Sequence, residues 1–281
     1  MLRQRVITAV LLLAILLPAL FAADPRYFVL CTGALMVAAA WEWGRLSEQA
    51  PAVSLWGAAG LGVLCMGVWL LQMDPDQLVD IWLGAALAWS ALAVGVLYAG
   101  PSRWVLVPPM LRYAGGLALL LASWLALVYS KQLGTNFLLS VMALVWVSDI
   151  CAYFAGRVFG GRWIARKLAV TISPGKTWEG VAGAVVGVGL MGVLWCYADS
   201  QTPGISLSVF SRVAQQWGAM GALVLGLLVA AGVVGDLLES LFKRAAGVKD
   251  SSGLLPGHGG VLDRVDALLP VLPLALWLVS R

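Results

Sequence analysis

Nine stretches of this chain are apolar for close to the thickness of a bilayer: 6–23, 27–45, 54–72, 78–99, 112–130, 135–155, 178–198, 219–241 and 262–280. About 20 helical residues cross the hydrocarbon core of a membrane. In that medium every backbone N–H and C=O must be satisfied internally, which admits only helices or a closed barrel. The runs are continuous rather than alternating in ten-residue segments, so they read as helices. Charged residues make up 11% of the chain, against about 25% in ordinary soluble domains. The expected fold class is all-α, a polytopic integral membrane protein of about nine transmembrane helices.

Charge placement orients the bundle. With the N-terminus inside, fourteen of the 18 Lys and Arg fall on the cytoplasmic side, and only Arg26, Lys131, Arg212 and Arg281 fall opposite. This asymmetry is the positive-inside pattern, and it is expected to turn the polar loops to the cytoplasm; the expected location is the cytoplasmic (inner) membrane. Arg3 and Arg5 ahead of the first run mimic a signal peptide, but "PALFAADP" lacks a small-x-small cleavage pattern, so this run is read as a retained helix. Cys31, Cys65, Cys151 and Cys196 all sit in apolar runs without CxxC spacing, which argues against zinc and disulfides. No basic–aromatic module suggests nucleic acid. "GAVVG" at Gly183–Gly187 is a helix-packing signal. Two polar, Gly-rich connections, 156–177 and 242–261, divide the chain's interest: residues 1–134 read as about five mostly structural helices, and 135–281 as the part carrying chemistry.

Ionisable side chains gather in "SLFKRAAGVKDSSGLLPGHGGVLDRVD", Ser240–Asp266, which holds the only histidine, His258. Asp236 follows the apolar "LVAAGVVG", and a carboxylate at such depth usually faces a partner or a cavity. Helical spacing puts Asp236, Glu239, Ser240 and Lys243 on one face, and Asp263 with Asp266 on another. Gly253, Gly257, Gly259 and Gly260 let backbone amides approach an anion, while Lys243, Arg244, Lys249 and Arg264 can neutralise phosphate. Membrane orientation alone accounts for cations, not for the acids among them. Acids, cations and glycines together read as Mg²⁺ with a polyphosphate.

The other connection echoes this. "VWVSDICAYFAGRVFGGRW" places Asp149, Tyr153 and Gly156 on one face ahead of Arg157 and Arg162. In "SPGKTWEG", Ser173 is expected to cap a helix, with Pro174 at its first position and Lys176 in its first turn, an anion-binding terminus. A capped helix start with a solvated lysine is the plainer alternative. A P-loop is excluded, because Val170 stands where that motif needs glycine.

These residues resemble the phosphatidate cytidylyltransferase (CDP-diacylglycerol synthase) family. The signature S-x-F-K-R-x4-K-D-x-S-x2-L-P-x-H-G-G-V-x-D-R-V-D matches at every defined position of Ser240–Asp266. Gly235–Asp236, "SPGKTWEG" and D-x2-A-Y-x2-G-R-x-F-G from Asp149 are similar too, so the likeness covers residues 145–270. It implies a membrane enzyme that joins CTP and phosphatidic acid into CDP-diacylglycerol and pyrophosphate with Mg²⁺, among membrane lipids, a homodimer being left open. It implies Asp236 and Asp263 as metal ligands with Asp266 and Asp250 behind them. Lys243, Arg244, Lys249 and Arg264 would lie on phosphates, Ser173 and Lys176 on the nucleotide, and His258, Gly259 and Gly260 in the phosphate-binding loop.

Two rival classes stay open at this level. An ion-coupled transporter would use the intramembrane acids Glu42, Asp149 and Asp236. A CTP-dependent lipid-alcohol kinase of related architecture would leave CDP free. A CDP-alcohol phosphotransferase is disfavoured, because its D-G-x2-A-R signature is absent.

Overall fold

A computed structural model describes residues 2–73, 75–165 and 167–280. Arg166 and Arg281, both counted in the charge asymmetry, lie outside the described residues. The protein is an all-α polytopic membrane protein, and among the described residues eight helices are long and apolar enough to cross a membrane. They begin with α1 (Leu2–Phe21), α2 (Pro25–Leu46), α3 (Pro51–Leu70) and α4 (Pro75–Ala99). After the one-turn α5 (Pro101–Trp104) come α6 (Pro109–Leu133), α7 (Thr135–Phe159) and α8 (Trp178–Gln201). A short α9 (Val209–Trp217) and a single 3-10 turn lead into α10 (Gly221–Ala245), and α11 (Leu262–Val265) and α12 (Leu268–Val279) close the chain. Several entries are set by proline in the first turn, where its missing N–H costs nothing; Asp24 additionally caps α2 by accepting from the Arg26 amide.

The ninth apolar run is not one helix. It divides into α11 and α12 at Asp266–Ala267, and Pro270 is the physical reason. Having no N–H, Pro270 leaves the Asp266 carbonyl without its usual helical donor. Pro273, inside α12, does the same to the Leu269 carbonyl, which takes a hydrogen bond from Ser123 Oγ on α6 instead, at 2.7 Å. The freed Asp266 carbonyl lies against α10 at Gly235, where a Cβ would run into it and would sit 2.9 Å from the Pro270 ring. The bare backbone of Gly235 therefore lets α10 approach the α11–α12 break, and it brings Asp236 and Asp266 to one place.

Helices α7 and α8 pack closely along the small residues of "GAVVG": a side chain at Gly183 would strike Ala155, and one at Gly187 would strike Cys151. Two hydrophobic clusters fill the bundle, and each draws on both sides of residue 134. One joins Phe28 and Trp82 to Phe137, Leu228 and Leu276; the other joins Trp43 and Leu61 to Leu237, Leu241 and Leu262. The N-terminal helices are thus packed directly on those that carry the polar loops.

Candidate active site

The signature loop is held from within. Its tip is a tight hairpin in which Leu255 N–H donates to Gly259 O at 2.8 Å and His258 N–H to Leu255 O at 2.7 Å. Gly257 and Gly259 take φ of 77° and 83° there, the left-handed region that favours glycine. Arg264 donates through its Nε and a terminal nitrogen to the His258 carbonyl, at 2.9 and 2.6 Å, tying the tip to α11. The Nδ1 atom of His258 is buried without a hydrogen-bond partner.

Two carboxylates hold the base of the loop. Asp263 Oδ2 accepts the Ser251 amide at 2.9 Å, the Ser251 hydroxyl at 2.9 Å and the Gly260 amide at 2.7 Å, while Oδ1 accepts Lys243 Nζ at 2.6 Å. The second is Glu42, on α2 and fully buried. It accepts the Val261 amide at 2.9 Å, the Leu262 amide at 2.8 Å, and the hydroxyls of Ser251 and Ser252 at 3.1 and 2.5 Å. A side chain on Gly260 would collide with Ser251 Oγ and Glu42 Oε1. Thus the glycine-rich turn that the sequence offers as an anion nest has the amides of Gly260, Val261 and Leu262 bonded to the protein's own carboxylates.

The helical face read from the sequence is present. Lys243 pairs with Glu239 one turn earlier as well as with Asp263, and Ser240 Oγ lies 3.4 Å from Asp236 Oδ1. Beside this buried triad lies a second group of acids. Asp266, its Oδ1 accepting the Ala267 amide at 2.8 Å, feels the charges of Asp236 and Asp149. Asp149 in turn feels Asp236 and Lys176. Lys176 crosses from the other polar connection to pair with Asp236 Oδ2 at 2.5 Å. Acids from three helices and a lysine from the 156–177 connection therefore gather around Asp236. Arg244, Lys249, Asp250 and Arg264 are exposed.

The 156–177 connection differs from expectation at its end. Ser173 does not cap α8, because its amide closes a small turn on the Ala169 carbonyl at 2.9 Å and its carbonyl takes the Lys176 amide at 3.2 Å. Thr177 is the cap, its hydroxyl accepting the Gly180 amide at 3.1 Å, and α8 starts at Trp178. Pro174 and Lys176 accordingly precede the helix. Buried Glu179 then gathers the amides of Gly161, Trp163 and Ile164 on one oxygen, at 3.0 to 3.1 Å. Each polar loop is anchored by one buried glutamate, Glu42 or Glu179.

Among the described residues, no three His, Cys, Asp or Glu side chains are placed to hold a metal ion by themselves. A site for Mg²⁺ here needs oxygens brought by a substrate, which is the ordinary habit of that ion.

A family model described as "Cytidylyltransferase family" matches residues 3–280. The chain belongs to the cytidylyltransferase family. Curated relatives named "Phosphatidate cytidylyltransferase" include one from Pseudomonas aeruginosa, 39% identical over 99% of this chain and 97% of its own. A second, from Haemophilus influenzae, is 35% identical over 97% and 96%. A third, from Brucella melitensis, is 37% identical over 95% and 89%.

In this cytidylyltransferase the structure adds residues that the motif reading left out of the site. Glu42 is an acid inside an apolar run, a signal that by sequence alone points to transport. Glu179 sits inside "SPGKTWEG", and Glu239 on the Asp236 face. No sequence signal paired Glu42 with a loop more than 200 positions away.

Proposed function

We propose that the chain transfers the cytidylyl group of CTP to phosphatidic acid at the cytoplasmic face of the inner membrane, giving CDP-diacylglycerol and pyrophosphate. The observation that carries the reading is the meeting of Lys176 with Asp236, 2.5 Å apart, beside Asp149 and Asp266. It puts a cation from one loop and acids from separate helices at one point, as a reaction between two phosphates requires. The names of the full-length relatives supply the substrates.

A phosphate monoester has a second pKa near 6, so the lipid headgroup needs no dedicated base to become a nucleophile. One of its oxygens forms the bond to the α-phosphorus of CTP, the bond from that phosphorus to the bridging oxygen breaks, and pyrophosphate carries away the electron pair. What the protein must overcome is repulsion between two anions, and in phosphoryl chemistry positioning and electrostatic stabilisation do most of that work. Lys176 sits where it can exchange its carboxylate partner for a nucleotide phosphate. Lys249 on the loop, with Arg244 and Arg264 on the helix ends that flank it, all exposed, add positive charge around the entry.

The donor chemistry fits Mg²⁺, which takes one or two carboxylates and fills its shell with substrate and water oxygens. Asp236 and Asp266 would hold it, with Asp263 joining through Oδ1 once Lys243 releases that oxygen. Bound there, the ion supplies charge neutralisation on the nucleotide phosphates. Lys243 would then be free to turn toward phosphate, while Ser251, Gly260 and Glu42 keep the loop in place.

Purified protein given CTP, Mg²⁺ and phosphatidic acid tests the reading. Stoichiometric pyrophosphate and cytidine on the lipid are expected. Free CDP with a newly phosphorylated lipid would replace the reading with the kinase, and neither product would end it. Reporter fusions within 157–177 check orientation, and an external signal would overturn the cytoplasmic assignment.

A further inference from the structure

A cavity of about 510 Å³ lies between α2, α4, α5, α6 and α10. Its walls are mostly apolar, with Trp89, Trp104 and Phe242 among them, and Asp266 of the acid cluster and Gly235 also line it. Ala88 of α4 and Leu111, Gly115 and Ala118 of α6, all exposed, also line it. Because α4 and α6 are membrane spans, this side opens toward lipid rather than toward water. A polar substrate entering from the cytoplasm has no use for such a mouth.

One wall residue does not belong to an apolar pocket. Arg112 is 3% exposed, yet it carries a charge it cannot lose. One terminal nitrogen reaches Glu48 at 2.9 Å. Its Nε is buried with no hydrogen-bond partner. Glu48 is itself half exposed, at 51% of its side chain, so this pair leaves the guanidinium under-used. A buried donor without an acceptor calls for an explanation, and a guanidinium suits the planar, multi-oxygen face of a phosphate better than any other side chain does.

We infer that Arg112, buried in the wall of this bilayer-facing cavity, reads the phosphomonoester of the lipid substrate and so selects it over lipids that lack one. Arg112 is a specificity residue here, not a catalytic one. The inference rests on the proposed transfer to phosphatidic acid, and it assigns lipid selection to the N-terminal half of the chain. Glu48 holds the arginine in place until a lipid phosphate offers it a second acceptor.

The test uses the full-length protein in mixed micelles, following pyrophosphate release. Arg112→Gln is expected to raise KM for phosphatidic acid about tenfold or more while leaving KM for CTP unchanged. An unchanged lipid KM, or a rise in the CTP KM instead, overturns the inference. Should Arg112→Gln fail to fold, Gly115→Leu serves, because Gly115 lines the cavity and a Cβ there meets nothing within 4 Å. It should raise the lipid KM alone, and no change overturns the assignment. Inorganic phosphate is expected not to compete with the lipid; competition as strong as that of a lipid phosphate would show a free-phosphate site and overturn the lipid assignment. If wild type makes no cytidylylated lipid, the proposed function falls separately. The pocket is then judged by thermal unfolding: phosphatidic acid must raise Tm more than diacylglycerol does, in wild type and not in Arg112→Gln, and equal shifts overturn it.

Discussion

Glu42 Oε2 accepts the backbone N–H of Leu262 at 2.8 Å. The acceptor stands near the C-terminal end of α2 and the donor opens α11, one residue before Asp263. With its bonds to Val261, Ser251 and Ser252, this carboxylate fixes both ends of the glycine turn against α2. The signature loop owes its shape as much to the N-terminal half as to its own residues. A buried carboxylate is costly unless its oxygens are hydrogen-bonded, and here both are.

Glu42→Gln is therefore expected to disable the loop without removing any group that touches substrate. Glutamine keeps one acceptor but turns an NH2 donor toward a backbone N–H, so at least one amide loses its partner. Hydrogen bonds to a charged group contribute about 1.5–3 kcal/mol each, and a loss of that size should lower kcat more than tenfold. KM for CTP should move less, because the exposed cations stay. Steady-state pyrophosphate release with thermal unfolding in detergent checks this; a fall in Tm with kcat intact would make Glu42 a stabilising residue only.

Lys176 and Asp236 should separate in their effects. Lys176→Met removes the cation paired with Asp236 but leaves the acids, and is expected to raise KM for CTP about tenfold, as the loss of one charge-assisted contact would. Asp236→Asn removes the carboxylate that pairs with Lys176 and should lower kcat by two orders of magnitude or more, on the scale of losing a preorganised electrostatic group. Matched kinetic series in CTP for the two variants decide it, and near-normal turnover in Asp236→Asn would remove Asp236 from the machinery.

Much of this was legible in the residues, and the gaps have physical causes. The long spans lie within a few residues of the apolar runs because hydrocarbon leaves a chain little other choice. Helix α9 was not anticipated, since "SRVAQQW" is polar and stands just outside the span that follows it. The α11–α12 break was written in Pro270, yet an apolar run hides a proline when only hydropathy is followed. Ser173 looked like a cap because Ser-Pro is a common helix opening; the turn it makes with Ala169 moves the start to Thr177. Contacts such as Glu42 with Leu262 are tertiary and have no local signature.

Chelation should silence the enzyme reversibly. With no three acids among the described residues arranged to grip an ion unaided, Mg²⁺ is expected to bind weakly without nucleotide, because its shell needs substrate oxygens. EDTA should abolish pyrophosphate release, and added Mg²⁺ should restore it. Isothermal titration should show Mg²⁺ affinity strengthened by CTP. Activity that survives exhaustive chelation would exclude the metal from the reaction.

The crossing at Gly235 gives the most local of these expectations. A Cβ there would collide with the Asp266 carbonyl and come within 2.9 Å of Pro270, and neither backbone nor a proline ring can turn aside as a long side chain can. Gly235→Ala must push α10 away from the α11–α12 break, an overpacking that typically costs about 1–3 kcal/mol. The same displacement draws Asp236 away from Asp266, so kcat should fall along with Tm. Gly253→Ala is the matched control. Its Cβ would meet nothing within 4 Å and its φ is not positive, so both readouts should stay close to wild type. Equal losses in the two variants would mean that glycine content, not the helix crossing, is what the site depends on.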